Sequence, residues 1–303
     1  MTLAELIGKG ADRVEEHAAF GARTTYRVGG TARALVTLSS ERDLDVLGPL
    51  IFDSGLPVVA LGNGSNLLVA DGEHEVIVIH LTGEFAHLQW SRNDGAVSVE
   101  AGAGLDLPVA ARRLASEGIV GFEWAVGVPG TFGGAVAMNA GGHGSDMAAS
   151  VTSVRTFSLT GPREWSAEEL HFAYRTSAIR VGELVTRVQL GLGYGDAAGA
   201  QAQIKEIVRW RRAHQPGGAN AGSVFRNPEG DHAGRLIEEA GCKGLRVGSA
   251  MVSDKHANFI IADEGGSAND VYELLVTVRD RVLGATGILL VTEHRFVGFE
   301  GQP

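Results

Sequence analysis

Gly127-Val128-Pro129-Gly130-Thr131-Phe132-Gly133-Gly134-Ala135, running on through Met138-Asn139-Ala140-Gly141-Gly142, is the stretch on which the reading of this chain turns. Glycine has no Cβ, so such a backbone can turn at positive φ, approach a ligand closely and aim consecutive N–H groups at phosphate oxygens. A single Gly-Gly pair is most simply a structural turn. This run is longer, and a second small-residue turn, Gly62-Asn63-Gly64-Ser65-Asn66, follows a strand-like run that ends at Leu61. Two such loops in one domain point to a dinucleotide with two phosphates. The spacing is not that of a Rossmann fingerprint, because Leu67 stands where the third glycine after Gly62 and Gly64 would be.

Working outward, Thr31–Leu38 reads as a strand, and Ser40 precedes Leu44, Leu47 and Ile51 at helical spacing, with Gly55 ending the helix and Pro57–Leu61 resuming as a strand. Further strands are expected at Glu75–Leu81 and Val97–Ala101, and a helix over Val109–Glu117 stopped by Gly118. The small-residue stretch Gly191–Ala200 reads as a linker or an exposed turn, which places the domain boundary there, with domains over 1–197 and 198–303. Beyond it, Ile204, Ile207 and Val208 mark one helix, and Ala233, Leu236, Ile237 and Ala240 another ended by Gly241. Ser267 and Asp270 fit a capping box before Val271, Leu274, Leu275, Val278 and Val282, with Gly284 past the end. Alternation along Ile288–Phe299 predicts a strand with Leu289, Val291, Glu293, Arg295 and Val297 on one face. A carboxylate on that mostly apolar face needs a partner or a function.

The whole is α+β. At 303 residues the chain sits near the length at which single cores divide, which agrees with two domains. Its 44% hydrophobic and 20% charged residues are those of a globular protein. The net charge of −10 argues against coating nucleic acid, which needs clustered Lys and Arg, but a few local arginines can still hold a phosphorylated small molecule. Apolar runs such as Val76–Ile79 and Ile288–Val291 are far too short to insert into a bilayer. The opening MTLAELIGKGADRVEE does not read as a secretory signal, and Cys242 is the lone cysteine, so a cytoplasmic, reducing setting is expected. No P-loop, G-x-S-x-G or H-E-x-x-H occurs, and the ten histidines show no metal-ligand spacing, so no metal site is expected.

Five motifs then carry a family resemblance. Leu61–Val69, Pro129-Gly130-Thr131, Tyr174-Arg175-Thr176-Ser177, Gly222-Ser223-Val224-Phe225-Arg226-Asn227-Pro228 and Lys255-His256-Ala257-Asn258-Phe259, in that order, resemble the UDP-N-acetylenolpyruvoylglucosamine reductase family from about Thr25 to Gly298. The resemblance implies an FAD-binding domain of the vanillyl-alcohol-oxidase type followed by a smaller α+β substrate-binding domain. It implies NADPH-dependent reduction, through FAD, of the enolpyruvyl group of UDP-N-acetylglucosamine enolpyruvate to UDP-N-acetylmuramate in peptidoglycan precursor synthesis. Gly62, Asn63, Gly64, Ser65, Asn66, Leu67, Pro129, Gly130, Thr131, Gly133, Gly134, Ala135 and Arg295 are implied to hold FAD. Ser223 is implied as proton donor, with Arg175 and Glu293 completing the reaction centre, and Tyr174, Arg212, Arg226, Asn227 and His256 meet the UDP-sugar.

Two departures qualify the likeness. The segment from Tyr174 to Gly191 lacks the longer insertion with an additional tyrosine, which resembles the shorter subclass, and Arg226 stands where lysine is frequent. Both cations meet phosphate, but arginine offers a planar fork. Two other readings share these features: an FAD-dependent oxidase of the same superfamily, and a flavin- or nucleotide-binding protein without turnover. A proton donor beside an arginine and a carboxylate counts against mere binding, and the arginines approaching Ser223 suit a phosphorylated substrate better than an alcohol.

Overall fold

The structure, a computed structural model, describes residues 14–93 and 95–301. The first 13 residues, which hold most of the opening segment read for an export signal, lie outside them. The chain opens with β1 (Val14–Ala18) and β2 (Thr31–Leu38), then helix α1 (Glu41–Phe52), β3 (Val58–Leu61), β4 (Leu67–Val69) and β5 (Glu73–Leu81). Strands β1, β2, β5 and β3 form a sheet in that order, with β3 and β5 parallel. Helix α1 starts where expected because Ser40 accepts from Asp43 N–H while the Asp43 carboxylate takes the Ser40 N–H, a reciprocal cap.

Contacts divide the chain into two compact units that are not consecutive in sequence. The first takes the segment ending at Glu16, Ala34–Asn63 and Glu75–Arg211; the second takes His17–Arg33, Gly64–His74 and the chain from Arg212.

In the first unit, β6 (Leu88–Asn93) and β7 (Ala96–Gly102) precede α2 (Leu107–Ser116) and β8 (Ile119–Val120). The glycine run follows with the short α3 (Phe132–Ala137), then β9 (Gly141–Gly142), β10 (Ser145–Asp146), β11 (Val151–Ser158), β12 (Gly161–Ser166) and β13 (Leu184–Tyr194). The larger sheet is ordered β12-β11-β13-β7-β6, and β8 pairs with the end of β13. Its core gathers Val97, Val99, Leu107, Leu114, Phe122, Phe132, Val188 and Leu190, all buried.

Here the linker expected at Gly191–Ala200 is corrected. Gly191 and Gly193 lie inside β13, paired with Ser98 and Ala96 of β7, and β13 is a central strand. Thr152 and Val120 stand beside their Cα atoms, so these glycines make room for neighbouring strands. Helix α4 (Ala197–His214) begins at the 197/198 junction, yet its buried stripe Ala200, Ile204 and Ile207 joins the first core, and the units divide at Arg211/Arg212.

The second unit has its own core of Tyr26, Val28, Leu68, Phe225, Leu236, Ile237, Val271, Leu274, Leu275, Val278 and Leu290. It contains α5 (Ala233–Glu239), the meander β14 (Arg246–Val247), β15 (Ala250–Val252) and β16 (Ile260–Ala262), helix α6 (Ala268–Thr286) and β17 (Arg295–Val297). The expected capping box at Ser267 is half made. Ser267 accepts from the Asn269 and Asp270 N–H groups, but the Asp270 carboxylate turns to Ser249, taking its N–H at 2.7 Å and its hydroxyl at 2.6 Å. Helix α6 also runs past Gly284 and stops at Gly287, whose φ of 73° is the left-handed cap.

The expected strand over Ile288–Phe299 is corrected as well. Only Arg295–Val297 is a strand, and the face carrying Glu293 is the outer one: Leu289 is 58% and Val291 55% exposed, whereas Leu290 and His294 are buried. The segment breaks there because residues 291–293 pair with a different partner from residues 295–297.

The α6 terminus yields a paired prediction. Gly284 is exposed inside the helix with open space where a methyl group would stand, so Gly284→Ala should raise stability by about 0.5–1 kcal/mol. Gly287→Ala should lower it by about 1 kcal/mol, because alanine resists the left-handed cap. Urea midpoints of the two variants would show the opposite signs.

Candidate functional site

The two glycine turns meet in the first unit. A methyl at Gly62 would collide with the Thr131 side chain, so only glycine lets these turns approach so closely. Asp106 reinforces the junction: it forms an isolated antiparallel bridge with Thr131, and Oδ1 accepts from Asn63 Nδ2 at 2.6 Å. Gly130 O accepts from Leu107 N–H, Phe132 N–H donates to Leu105 O and Gly133 N–H to Ala103 O, which pins the run from below. Gly134 is exposed, and a methyl there would meet only Thr131 Oγ1 at 3.9 Å; Pro129 is exposed, and Thr131 and Ala135 are buried.

On the other side of the turn the chain enters the second unit. Gly64 has φ 61°, and a methyl there would strike Thr24 Cα at 2.6 Å; its carbonyl accepts from Thr25 and Leu67 N–H. Among the described residues the N–H groups of Gly64, Ser65 and Asn66 have no acceptor. Successive unused N–H groups beside a positive-φ glycine are what a diphosphate requires, so Gly64, Ser65 and Asn66 fit part of the pyrophosphate of FAD.

Arg175 sits at the tip of a tight turn closed by reciprocal 3.1 Å backbone bonds between Ala173 and Thr176. Its φ is 57°, costly for a side chain with a Cβ, and Nη1 donates to Gly141 O at 3.1 Å. Asn139 supports this turn. Buried, with φ 39°, it donates through Nδ2 to Ala173 O (3.1 Å) and Asp146 Oδ2 (3.2 Å) and accepts from Ala148 N–H. Asn139 carries no assigned role in the motif pattern; its signal is an asparagine, a residue that tolerates the left-handed region, inside a glycine run. Tyr174 is 57% exposed, with its ring 5.8 Å from the Arg175 guanidinium carbon.

In the second unit, Ser223 and Glu293 lie on paired segments. Phe225 bridges Thr292, Glu293 N–H donates to Val224 O, and Arg226 N–H to Val291 O, both at 2.8 Å. Ser223, Arg226 and Glu293 are all half-buried. Asn258 holds the Ser223 segment from behind: its Oδ1 accepts from Phe225 N–H (3.0 Å), its Nδ2 donates to Phe225 O (2.8 Å), and its carbonyl accepts from Val224 N–H (2.9 Å). It lay in a quoted motif without an assigned role.

The remaining residues divide by what they already do. Asn227 Oδ1 accepts from Ala233 N–H at the start of α5. His256 accepts from Asn258 N–H through Nδ1 and packs edge-on against Phe259, and burial lowers its pKa. Arg212 is exposed, and its carbonyl accepts from Lys255 Nζ at 2.6 Å. Leu67 is buried and pairs with Arg295, which is exposed and donates its N–H to Asn66 O. Asn66 Nδ2 donates to Glu293 O at 2.9 Å. Among the described residues no three metal-ligating side chains come together, and no helix is long and apolar enough to cross a membrane.

Comparison with known proteins places names beside this geometry. Residues 214–297 match the family described as UDP-N-acetylenolpyruvoylglucosamine reductase, C-terminal domain, and residues 32–163 match an FAD binding domain family. A UDP-N-acetylenolpyruvoylglucosamine reductase of Heliobacterium modesticaldum is 42% identical over 92% of this chain and 88% of its own. A second one, from Symbiobacterium thermophilum, is 41% identical over 91% and 89%. The crystal structure of the reductase from Thermus caldophilus superposes with a TM-score of 0.81 at 37% identity, covering 94% of this chain and 99% of that one. The BBE-like 1 protein of Physcomitrella patens shares the fold at a TM-score of 0.57 and 13% identity.

Asn258→Asp tests the buried support. A carboxylate would face the Phe225 carbonyl in place of a donor, so the variant should lose about 2–4 kcal/mol of stability. Thermal unfolding followed by circular dichroism would measure it; an unchanged midpoint would remove Asn258 from the support of Ser223.

Proposed function

The chain belongs to the UDP-N-acetylenolpyruvoylglucosamine reductase family, and on that premise we propose that it reduces the enolpyruvyl group of a UDP-sugar with NADPH through FAD, giving UDP-N-acetylmuramate for peptidoglycan. The observation that supports the reading is the pairing of the Ser223 and Glu293 segments through Glu293 N–H to Val224 O, which ties a segment bearing a hydroxyl to one bearing a carboxylate. When bound, FAD would supply hydride transfer between NADPH and the terminal carbon of the enolpyruvyl group. The protein's share is to hold, polarise and protonate.

Gly62 to Leu67 and Pro129, Gly130, Thr131, Gly133, Gly134 and Ala135 would hold FAD, with its pyrophosphate at the two glycine turns, and Arg295 is a further cofactor contact. Arg175, oriented by its bond to Gly141 O, supplies positive charge to the substrate carboxylate as the neighbouring carbon becomes enolate-like. Glu293 stabilises the same charge by hydrogen bonding or by sharing a proton. Ser223 donates a proton to that carbon and completes the lactyl ether. Serine is a weak acid, but a carbanion next to a carboxylate is a strong base, so the transfer is downhill when the hydroxyl is correctly placed. Tyr174, Arg212, Arg226, Asn227 and His256 receive the nucleotide diphosphate and sugar, and Arg226 offers two parallel donors to a phosphate. The buried, unbridged Cys242 suits a reducing cytoplasm, and the net charge of −10 suits a small anionic ligand better than nucleic acid.

The decisive experiment separates the two half-reactions. Ser223→Ala should let NADPH bleach the flavin at a near-normal rate but slow reoxidation by the enolpyruvyl substrate by about 10² to 10⁴. Equal slowing of both halves would leave Ser223 with a role in flavin placement only. Arg226→Ala should raise KM for the UDP-sugar more than it lowers kcat, as a phosphate contact remote from the reacting carbon does. The opposite split in steady-state kinetics would move Arg226 to the reacting group.

A further inference from the structure

A buried polar chain runs through the second unit beside the site. Tyr26 Oη lies 3.0 Å from His294 Nε2, His294 Nδ1 lies 3.2 Å from Asn66 Oδ1, and Asn66 Nδ2 donates to Glu293 O at 2.9 Å. Tyr26 is wholly buried and His294 is 4% exposed, their rings packed edge-on at 5.6 Å. The two ends of the chain therefore touch the apolar core and the segment that bears Glu293 and Arg295.

Only one arrangement of protons satisfies every link. The Glu293 carbonyl can only accept, so the Asn66 amide presents Nδ2 to it and turns Oδ1 toward His294. That oxygen also only accepts, so His294 carries its proton on Nδ1, which leaves Nε2 bare to accept from the Tyr26 hydroxyl. Burial pushes the His294 pKa down to about 4 and raises that of Tyr26, so at neutral pH the imidazole is uncharged and the phenol keeps its proton. With no charge to desolvate, each buried polar atom of the chain has its partner.

We propose that Tyr26 and His294 are positioning residues that, through Asn66, lock the end of the Gly62–Asn66 loop to the Glu293–Arg295 segment in a single orientation. This rests on the flavin-reductase reading of the same site. Asn66 is the hinge of the arrangement, because its carbonyl also accepts from Arg295 N–H, so both its backbone and its side chain are tied to residues 293–295. The unused N–H groups of Gly64, Ser65 and Asn66 are thereby held in register with that segment, and the loop need not be ordered by its ligand.

The test uses the full chain stripped of flavin and titrated with FAD, following flavin fluorescence and absorbance, with melting of each flavin-free variant recorded alongside. Tyr26→Phe keeps the ring and removes the donor, and FAD affinity should fall by about tenfold, the scale of one buried acceptor left unsatisfied. His294→Val should fall at least as far, and Tyr26→Phe should then be silent in the His294→Val background, since the link is already cut. Asparagine places an amide near the Nδ1 position and glutamine near Nε2. His294→Asn should therefore recover part of the affinity lost by His294→Val, up to the level of Tyr26→Phe, whose Nε2 link it also lacks, and His294→Gln should not. Variants that melt lower but bind FAD as the wild type does, or an asparagine variant no better than the glutamine one, would overturn the inference while leaving the functional reading intact. A wild-type chain that takes up no FAD would overturn that reading, and this inference with it.

Discussion

The parallel pairing of Leu67–Val69 with Arg295–Val297 is the constraint on which the second unit depends. Its two strands are separated by most of the chain, so forming it closes a very long loop, and that entropy must be recovered by burial. Leu68, fully buried in the second core, supplies part of it. The pairing also sets where the Gly62–Asn66 turn ends, because the residue before β4 is Asn66, and where the Glu293 segment lies, because Glu293 stands two residues before β17. A proposed cofactor loop and a proposed reaction-centre carboxylate are thus indexed to one ladder.

Three buried or half-buried asparagines complete the backbone where regular structure stops. Asn66 bonds the 293–295 segment, Asn139 bonds the Ala173 turn and the Met147 turn, and Asn258 bonds both polar groups of Phe225. A side-chain amide offers a donor and an acceptor in the geometry of a peptide unit, so it can stand in for a missing strand at one point. Such a contact stabilises only if both groups are paired, and each of these amides uses both. The functional turns are therefore irregular in path but well satisfied in hydrogen bonding, which suits loops that must hold shape around a ligand.

Backbone strain occurs in these places too, besides His17, Arg27 and His171. Asn139, His143 and Arg175 are non-glycine residues at positive φ, and all three belong to the first-unit turns around Gly141. Each such residue costs of order 1–3 kcal/mol and persists only where its surroundings over-determine it. Arg175 is over-determined by the Ala173–Thr176 closure and by the carbonyl of Gly141. The strain presents the guanidinium at a turn tip, where no regular strand or helix would place it.

Much of this molecule was legible in its residues. The strand Thr31–Leu38, the helix behind Ser40 and the helices around Ile204, Leu236 and Leu274 follow from periodicity and caps, because those signals are local. The five motifs identified the family, and with it the flavin chemistry. Three features needed the tertiary structure. Gly191 and Gly193 sit in a stretch that reads as a linker or an exposed turn because glycine's freedom is visible in sequence, whereas the pairing that puts them in a central strand is not. The alternation over Ile288–Phe299 was real but assigned its faces the wrong way, since the direction of burial is set by the neighbours a segment meets. The interleaving of the two units, and the bonds that make Asn66, Asn139 and Asn258 supports of the site, join residues up to hundreds of positions apart. Only folding brings such groups together, because hydrogen bonding acts over a few ångströms of space and takes no account of distance along the chain.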